Sequence, residues 1–117
     1  MLTELLLARE GIEPAQVSGY DSAEFTHAAV AAYIASGMAD VGLGVQTAAR
    51  RFGLHFIPLV RERYFLAFAQ AGAAQPPMPR VLQLLSSPAY RSAVAALAGY
   101  EAGETGRVLG VQEAFSR

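Results

Sequence analysis

The sequence predicts one α/β domain, or one lobe of a larger protein, built on a mainly parallel sheet. Two patterns support this: helical segments alternate with short apolar segments, and short glycine-containing links separate them. The 117 residues suffice for one modest hydrophobic core. A parallel sheet needs helices on both faces, and about five expected helices are enough to cover about three to four expected strands.

The first two helices are predicted from apolar spacing and from residues that begin or end a helix. A stripe of Leu and Ala predicts a helix over residues 3–10, which ends at Gly11. A second helix ends at Ser36 and Gly37. Its candidate N-caps are Asp21, Ser22 and Thr26.

Further helices are expected at residues 45–52, 81–85 and 88–97. The last of these begins with Ser87 and Pro88, an N-cap followed by proline in the first helical position. Residues 70–79 contain mainly Gly, Ala, Gln and Pro and predict a loop. Repeated glycines after residue 98 predict a tail that is weakly ordered or docks on something else.

Strands are predicted at residues 40–44, 54–59 and 64–69, and residues 16–20 are compatible with a further short one. The run LHFIPL at 54–59 is typical of a strand buried on both faces, and Pro58 puts its end near an edge. No strand precedes the first helix, which predicts that the chain starts partway through a domain.

Composition excludes several functions. A net charge of -1 gives no reason to expect direct contact with nucleic acid. The absence of Cys and the wide separation of His27 and His55 argue against a metal centre, and no other cofactor is implied. No secretion signal or membrane span is recognisable, so a cytoplasmic location without membrane contact is expected. The 53% hydrophobic content predicts that some apolar surface covers a partner.

Four blocks of the sequence, in order, carry a resemblance to a known family. They are THAAVAA at 26–32, SGMADVGLG at 36–44, GLHFIPL at 53–59 and ERY at 62–64. The chain resembles the periplasmic-binding-protein-like domain related to molybdate-binding proteins. That domain often follows a helix-turn-helix domain or a molybdopterin-biosynthesis domain.

The resemblance implies a three-layer α/β/α lobe of a type II fold, with the first lobe largely missing. Residues 1–106 would form this partial domain, and residues 107–117 a C-terminal tail. Residues 62–69 would correspond to the strand that crosses back to the first lobe. The family usually has Tyr-Asp-Leu where this chain has Tyr64-Phe65-Leu66, so an aromatic ring replaces the carboxylate.

Two junctions before helices are candidate anion sites. Thr26 and His27 enter the second helix, whose free N–H groups attract anions. At the second junction, Gly42 and Gly44 let backbone amides approach a ligand. Val45 and Gln46 complete this second group. Alternatively, Thr26 is only a cap, His27 a surface residue, and the glycines conformational requirements.

Arg63 and Tyr64 are further candidate ligand contacts. Arg63 would meet an anion while Glu62 holds its guanidinium in place. The alternative is a solvated charge cluster, an interpretation that suits Arg61 better than Arg63. No catalytic arrangement is visible, so an enzyme is not expected.

Two functions are consistent with these observations. The first is a non-catalytic module that binds an oxyanion or a small anionic metabolite and acts as the ligand sensor of a transcriptional regulator. The resemblance implies molybdate or a ligand related to the molybdenum cofactor. The second is a lobe without ligand binding that serves as a homodimerisation or interaction domain, or meets its missing first lobe as a partner.

Overall fold

The computed structural model describes residues 1–116, which contain six α-helices and two short 3-10 helices. The α-helices are α1 (Leu2–Arg9), α2 (His27–Ala35), α3 (Gln46–Arg51), α4 (Met78–Leu85), α5 (Pro88–Ala95) and α6 (Val111–Phe115). The 3-10 helices are Pro14–Gln16 and Gln70–Gly72. The chain divides into two units, the first ending at Pro58 and the second beginning at Leu59.

The predicted parallel sheet is absent from the described residues. No residue from 1 to 116 lies in a β-strand, so the prediction of a three-layer α/β/α lobe was wrong. The physical reason is the lack of pairing, because a strand persists only when its backbone groups are bonded to a neighbour. From His55 to Phe68, no backbone group hydrogen-bonds another backbone group of residues 1–116. The apolar runs are therefore not helical, as predicted, but no strand within residues 1–116 pairs with them.

The first unit contains α1, α2 and α3, and its best-defined helix start is that of α2. Thr26 is the cap used among the three candidates, since its Oγ1 accepts a hydrogen bond from the N–H of Ala29 at 3.0 Å. Helix α2 ends at Ala35, with Ser36 as its C-cap, and Gly37 follows at φ 78°. It packs against α3. Ala31 of α2 and Ala48 of α3 are buried.

The second unit contains α4, α5 and α6. The predicted start of α5 is confirmed, because the Ser87 hydroxyl accepts from the N–H of Tyr90 at 3.2 Å and Pro88 is the first helical residue. Helix α4 packs against α5. The predicted loop at 70–79 contains a 3-10 helix and the first residues of α4. The predicted tail contains α6, and its last residue, Arg117, lies outside the described residues.

Large apolar side chains remain exposed in both units. Within residues 1–116, Ala31 and Ala48 are the only buried hydrophobic residues, and no large side chain is fully buried. Val41, Ile57 and Leu66 are 82%, 79% and 59% exposed. None of the helices in the described chain has the length and apolarity needed to cross a bilayer.

Candidate ligand-binding site

The first predicted junction lies at the start of α2. Thr26 has an extended backbone, and its hydroxyl satisfies the N–H of Ala29. The N–H groups of His27 and Ala28 donate to no other described residue, as is usual in a first helical turn. The side chains of Thr26 and His27 are both exposed. This end of α2 therefore presents free donors and the imidazole of His27.

The second predicted junction lies at the start of α3. Val45 is the N-cap position of this six-residue helix, and Gln46 is its first residue. A helix of this length has only a weak dipole. Its contribution to the junction is therefore to fix the position of the backbone that precedes it. The N–H groups of Gly44 and Gln46 donate to no other described residue.

Glycine brings this second junction against α2. A Cβ at Gly42 would lie 2.7 Å from Cγ1 of Val30 and 3.1 Å from Cδ1 of Ile34, so only glycine fits there without a shift. A Cβ at Gly44 would lie 3.7 Å from Nδ1 of His27. The structure therefore places the two junctions side by side within the first unit.

The first unit also has a cavity, which is lined by residues that precede both junctions in the sequence. It is partly open and has a volume of about 430 Å³. Its lining residues are Pro14, Ala15, Val17, Gly19, Tyr20, Asp21 and Ser22. None of the predicted ligand contacts is among them, and the charged residue in the lining is an acid, which does not suit an anion.

Arg63 and Tyr64 belong to the second unit, where Arg63 is bound to the C-terminal segment, residues 104–116. One guanidinium nitrogen donates to the carbonyl of Ala114 at 3.1 Å, and another pairs with Glu104 Oε2 at 3.2 Å. The guanidinium also lies 5.1 Å from the centre of the Phe65 ring. The acid that holds this guanidinium is thus Glu104, and the expectation of Glu62 was wrong.

Tyr64 stacks on Tyr100, with ring centres 6.2 Å apart and ring planes 16° from parallel. Partial desolvation raises the pKa of Tyr64 above 10.0, and the nearby charges of Glu62 and Tyr100 raise it further. Glu62 therefore acts on the phenol of Tyr64. That phenol therefore loses its proton at a higher pH than an ordinary tyrosine, because its pKa is raised.

Sequence reasoning missed the acids that bind Arg61, Arg63 and Arg107 in the second unit. Arg61 pairs with Glu101, and Arg107 pairs with Glu104 at 3.3 Å and with Glu113 at 2.7 Å. The spacing of three residues between Glu104 and Arg107 was the available signal, since such a spacing brings side chains together in a helical turn. The pairing of Arg63 with Glu104 spans 41 residues and leaves no local pattern.

Comparison with known proteins identifies the family. The family model described as PBP superfamily domain matches residues 1–86. The uncharacterized protein YvgK of Bacillus subtilis (strain 168) is 35% identical over 99 residues, which cover 85% of this chain and 32% of that protein. The chain thus spans about a third of the length of YvgK.

A second relative is an uncharacterized protein in the ferredoxin 2Fe-2S gene 5'region of Clostridium pasteurianum. It is 31% identical over 100 residues, which cover 85% of this chain and 88% of the relative. No solved structure gives a significant match. On the match to residues 1–86, the chain belongs to the PBP superfamily, that of the periplasmic-binding-protein-like domains.

Proposed function

We propose that this chain is a non-catalytic binding module for a small oxyanion or anionic metabolite, with its contacts at the start of α2. The superfamily supports a binding role, since its domains are generally binding modules rather than enzymes. The observation that carries the location is the approach of Gly44 to His27. The proposal is confined to the first unit and does not include Arg63 or Tyr64.

The donors proposed for the anion are backbone N–H groups and one side chain. His27 and Ala28 supply free N–H groups from the first turn of α2, and the second junction supplies those of Gly44 and Gln46. Backbone donors and the positive end of α2 attract an anion without a basic side chain. This explains how a chain of net charge -1 would select a negative ligand.

Glycine serves two purposes in this proposal. At Gly42 it permits close packing of the second junction on Val30. At Gly44 the missing side chain leaves the space beside the His27 imidazole open to a ligand. A larger residue at position 44 would occupy that space. The proposed site therefore depends on backbone shape more than on any charged residue.

Molybdate is the ligand that we propose to test first, with occupancy reported to an attached transcriptional regulator. Support comes from the resemblance of residues 26–32, 36–44 and 53–59 to the molybdate-related domains. A tetrahedral oxyanion also suits several converging N–H donors. Sulfate and phosphate have the same shape, so they are the competitors that define selectivity.

The test is isothermal titration calorimetry of the chain with molybdate, tungstate, sulfate and phosphate. We expect saturable binding of at least one anion, and at least a tenfold loss of affinity in His27→Ala. His55→Ala is the matched control, because His55 is the other exposed histidine of the first unit and lies outside the proposed site. Heat signals that stay flat for every anion at millimolar concentration would refute the proposal, as would equal losses in the two variants.

A cap variant separates ligand contact from helix stability. Thr26→Ser keeps the hydroxyl that accepts from Ala29, and we expect it to retain binding. Thr26→Ala removes that acceptor, and we expect it to weaken both the helix and the binding. Circular dichroism of both variants gives the helix content independently of the anion titration.

A further inference from the structure

Residues 59–69 of the second unit have the residue composition of a β-strand, but no strand within residues 1–116 pairs with them. The segment contains no helix, turn or bend. Its backbone groups up to Phe68 make no backbone hydrogen bond within residues 1–116. Tyr64, Phe65 and Leu66 are exposed at 65%, 46% and 59%. Unpaired N–H and C=O groups beside apolar side chains are a template for another strand.

Side chains of this segment already contact residues of their own unit, and Tyr64 does so by stacking on Tyr100. Arg63 binds Glu104 and the carbonyl of Ala114, and the Phe65 ring lies 5.6 Å from that of Phe115. These contacts are made by side chains and leave the backbone edge free. The C-terminal segment therefore anchors residues 63–65 without satisfying their backbone.

The exposed area exceeds what compact folding leaves exposed. The chain exposes 9765 Å². Two separate compact bodies, each with half the mass of this 12.4 kDa chain, would together expose about 7,400 Å². The difference is larger than the roughly 800 Å² that each partner buries in a stable interface of standard size. There is therefore enough uncovered surface for a protein partner.

The sequence of the segment complements itself in one antiparallel register. With Leu66 on the two-fold axis, Tyr64 lies opposite Phe68 of the second copy, and Phe65 lies opposite Ala67. Arg63 then faces Ala69, so no like charges meet. A register centred on Glu62 would place that acid opposite itself and Arg61 opposite Arg63, which is destabilising.

We propose that residues 63–69 pair with the same residues of a second copy of this chain, antiparallel and centred on Leu66. The pairing would satisfy backbone groups of both copies and cover Tyr64 and Leu66. A two-fold arrangement is the commonest form of homodimer. This inference concerns assembly and stands independently of the anion site.

Disulfide trapping tests the register directly, because the chain has no cysteine of its own. A residue on the two-fold axis of an antiparallel pair faces its own copy at a Cα separation that a disulfide can bridge. We expect Leu66→Cys to form a covalent dimer under mild oxidation. Leu84→Cys is the matched control: Leu84 is 58% exposed and lies on α4 of the same unit. Equal cross-linking of the two variants would overturn the proposal.

A charge substitution tests the same axis without covalent chemistry. Leu66→Arg places two cations opposite each other, and we expect at least a tenfold rise in the dimer dissociation constant measured by sedimentation equilibrium. Leu84→Arg should leave that constant unchanged. Circular dichroism shows whether each variant retains its helices. A wild-type chain that stays monomeric at high micromolar concentration would overturn the proposal and leave the sheet of a different protein as the partner.

Discussion

Gly106 lies directly against the backbone of Ser86, at the C-terminal end of α4. A Cβ at position 106 would be 2.6 Å from Cα of Ser86 and 2.8 Å from the carbonyl oxygen of Leu85. Gly106 also has φ 83°, a conformation that L residues rarely adopt. This contact fixes the C-terminal segment on α4, and Arg91 of α5 adds a hydrogen bond to the carbonyl of Thr105 at 3.0 Å.

Gly106→Ala should destabilise the second unit by about 2 kcal/mol or more, because both the backbone strain and the overlap are unfavourable. The measurement is urea unfolding followed by circular dichroism. Gly103→Ala is the control, since a Cβ there meets nothing within 4 Å and the φ angle is ordinary. A Gly103→Ala loss as large as that of Gly106→Ala would contradict the assignment.

Gly42→Ala should destabilise the first unit by about 1–3 kcal/mol, because the added methyl group overlaps the stiff β-branched side chain of Val30. Thermal unfolding measures the effect. Gly72→Ala, where nothing lies within 4 Å, is the control and should change stability by about 0.5 kcal/mol at most. A neutral Gly42→Ala would show that the junction does not pack on α2.

Arg63→Gln should loosen α6, because it removes the donor to the carbonyl of Ala114 and the ion pair with Glu104. The ion pair is exposed, so we expect a loss of about 1 kcal/mol or less and a local response. Amide hydrogen exchange in Val111–Phe115 should accelerate. Arg61→Gln breaks the pair with Glu101 but touches no residue of α6, and it should leave that exchange unchanged.

Tyr64 should lose its proton at higher pH than an ordinary tyrosine, whose pKa is 10.0. Between the unfolded and folded pKa values, the folded state holds a proton that the unfolded state has lost. The stability contribution is therefore complete below pH 10.0 and is lost as pH rises through the folded pKa.

Ultraviolet titration of wild type minus Tyr64→Phe isolates this phenol among the five tyrosines. Glu62→Gln should lower the pKa of Tyr64, since it removes one of the nearby charges. Glu10→Gln, in the first unit, is the control. An identical Tyr64 titration in wild type and Glu62→Gln would exclude the electrostatic effect.

The starts of α2 and α5 were predictable because their signals are local. Thr26 was one of three candidate caps, and Ser87 with Pro88 marked the start of α5 correctly. Each signal depends on atoms within about four residues, so no knowledge of the rest of the chain was needed.

The predicted strands were wrong, because a strand forms only when its backbone is paired with a neighbour. The run at 54–59 has the composition of a buried strand, yet Ile57 is 79% exposed and its backbone makes no backbone hydrogen bond within residues 1–116. Gly44 and His27, two of the predicted ligand contacts, lie close together because the loop after α2 packs on that helix. Glu104 could not be assigned to Arg63, since their ion pair links distant parts of the chain.

The two buried alanines of α2 and α3 also have a calorimetric consequence. Ala31 and Ala48 remove little apolar area from water, and the heat-capacity change of unfolding scales with that area. A single copy should therefore unfold with a small heat-capacity change and a shallow dependence on denaturant. Covering Tyr64 and Leu66 would increase both quantities and make the melting temperature rise with protein concentration.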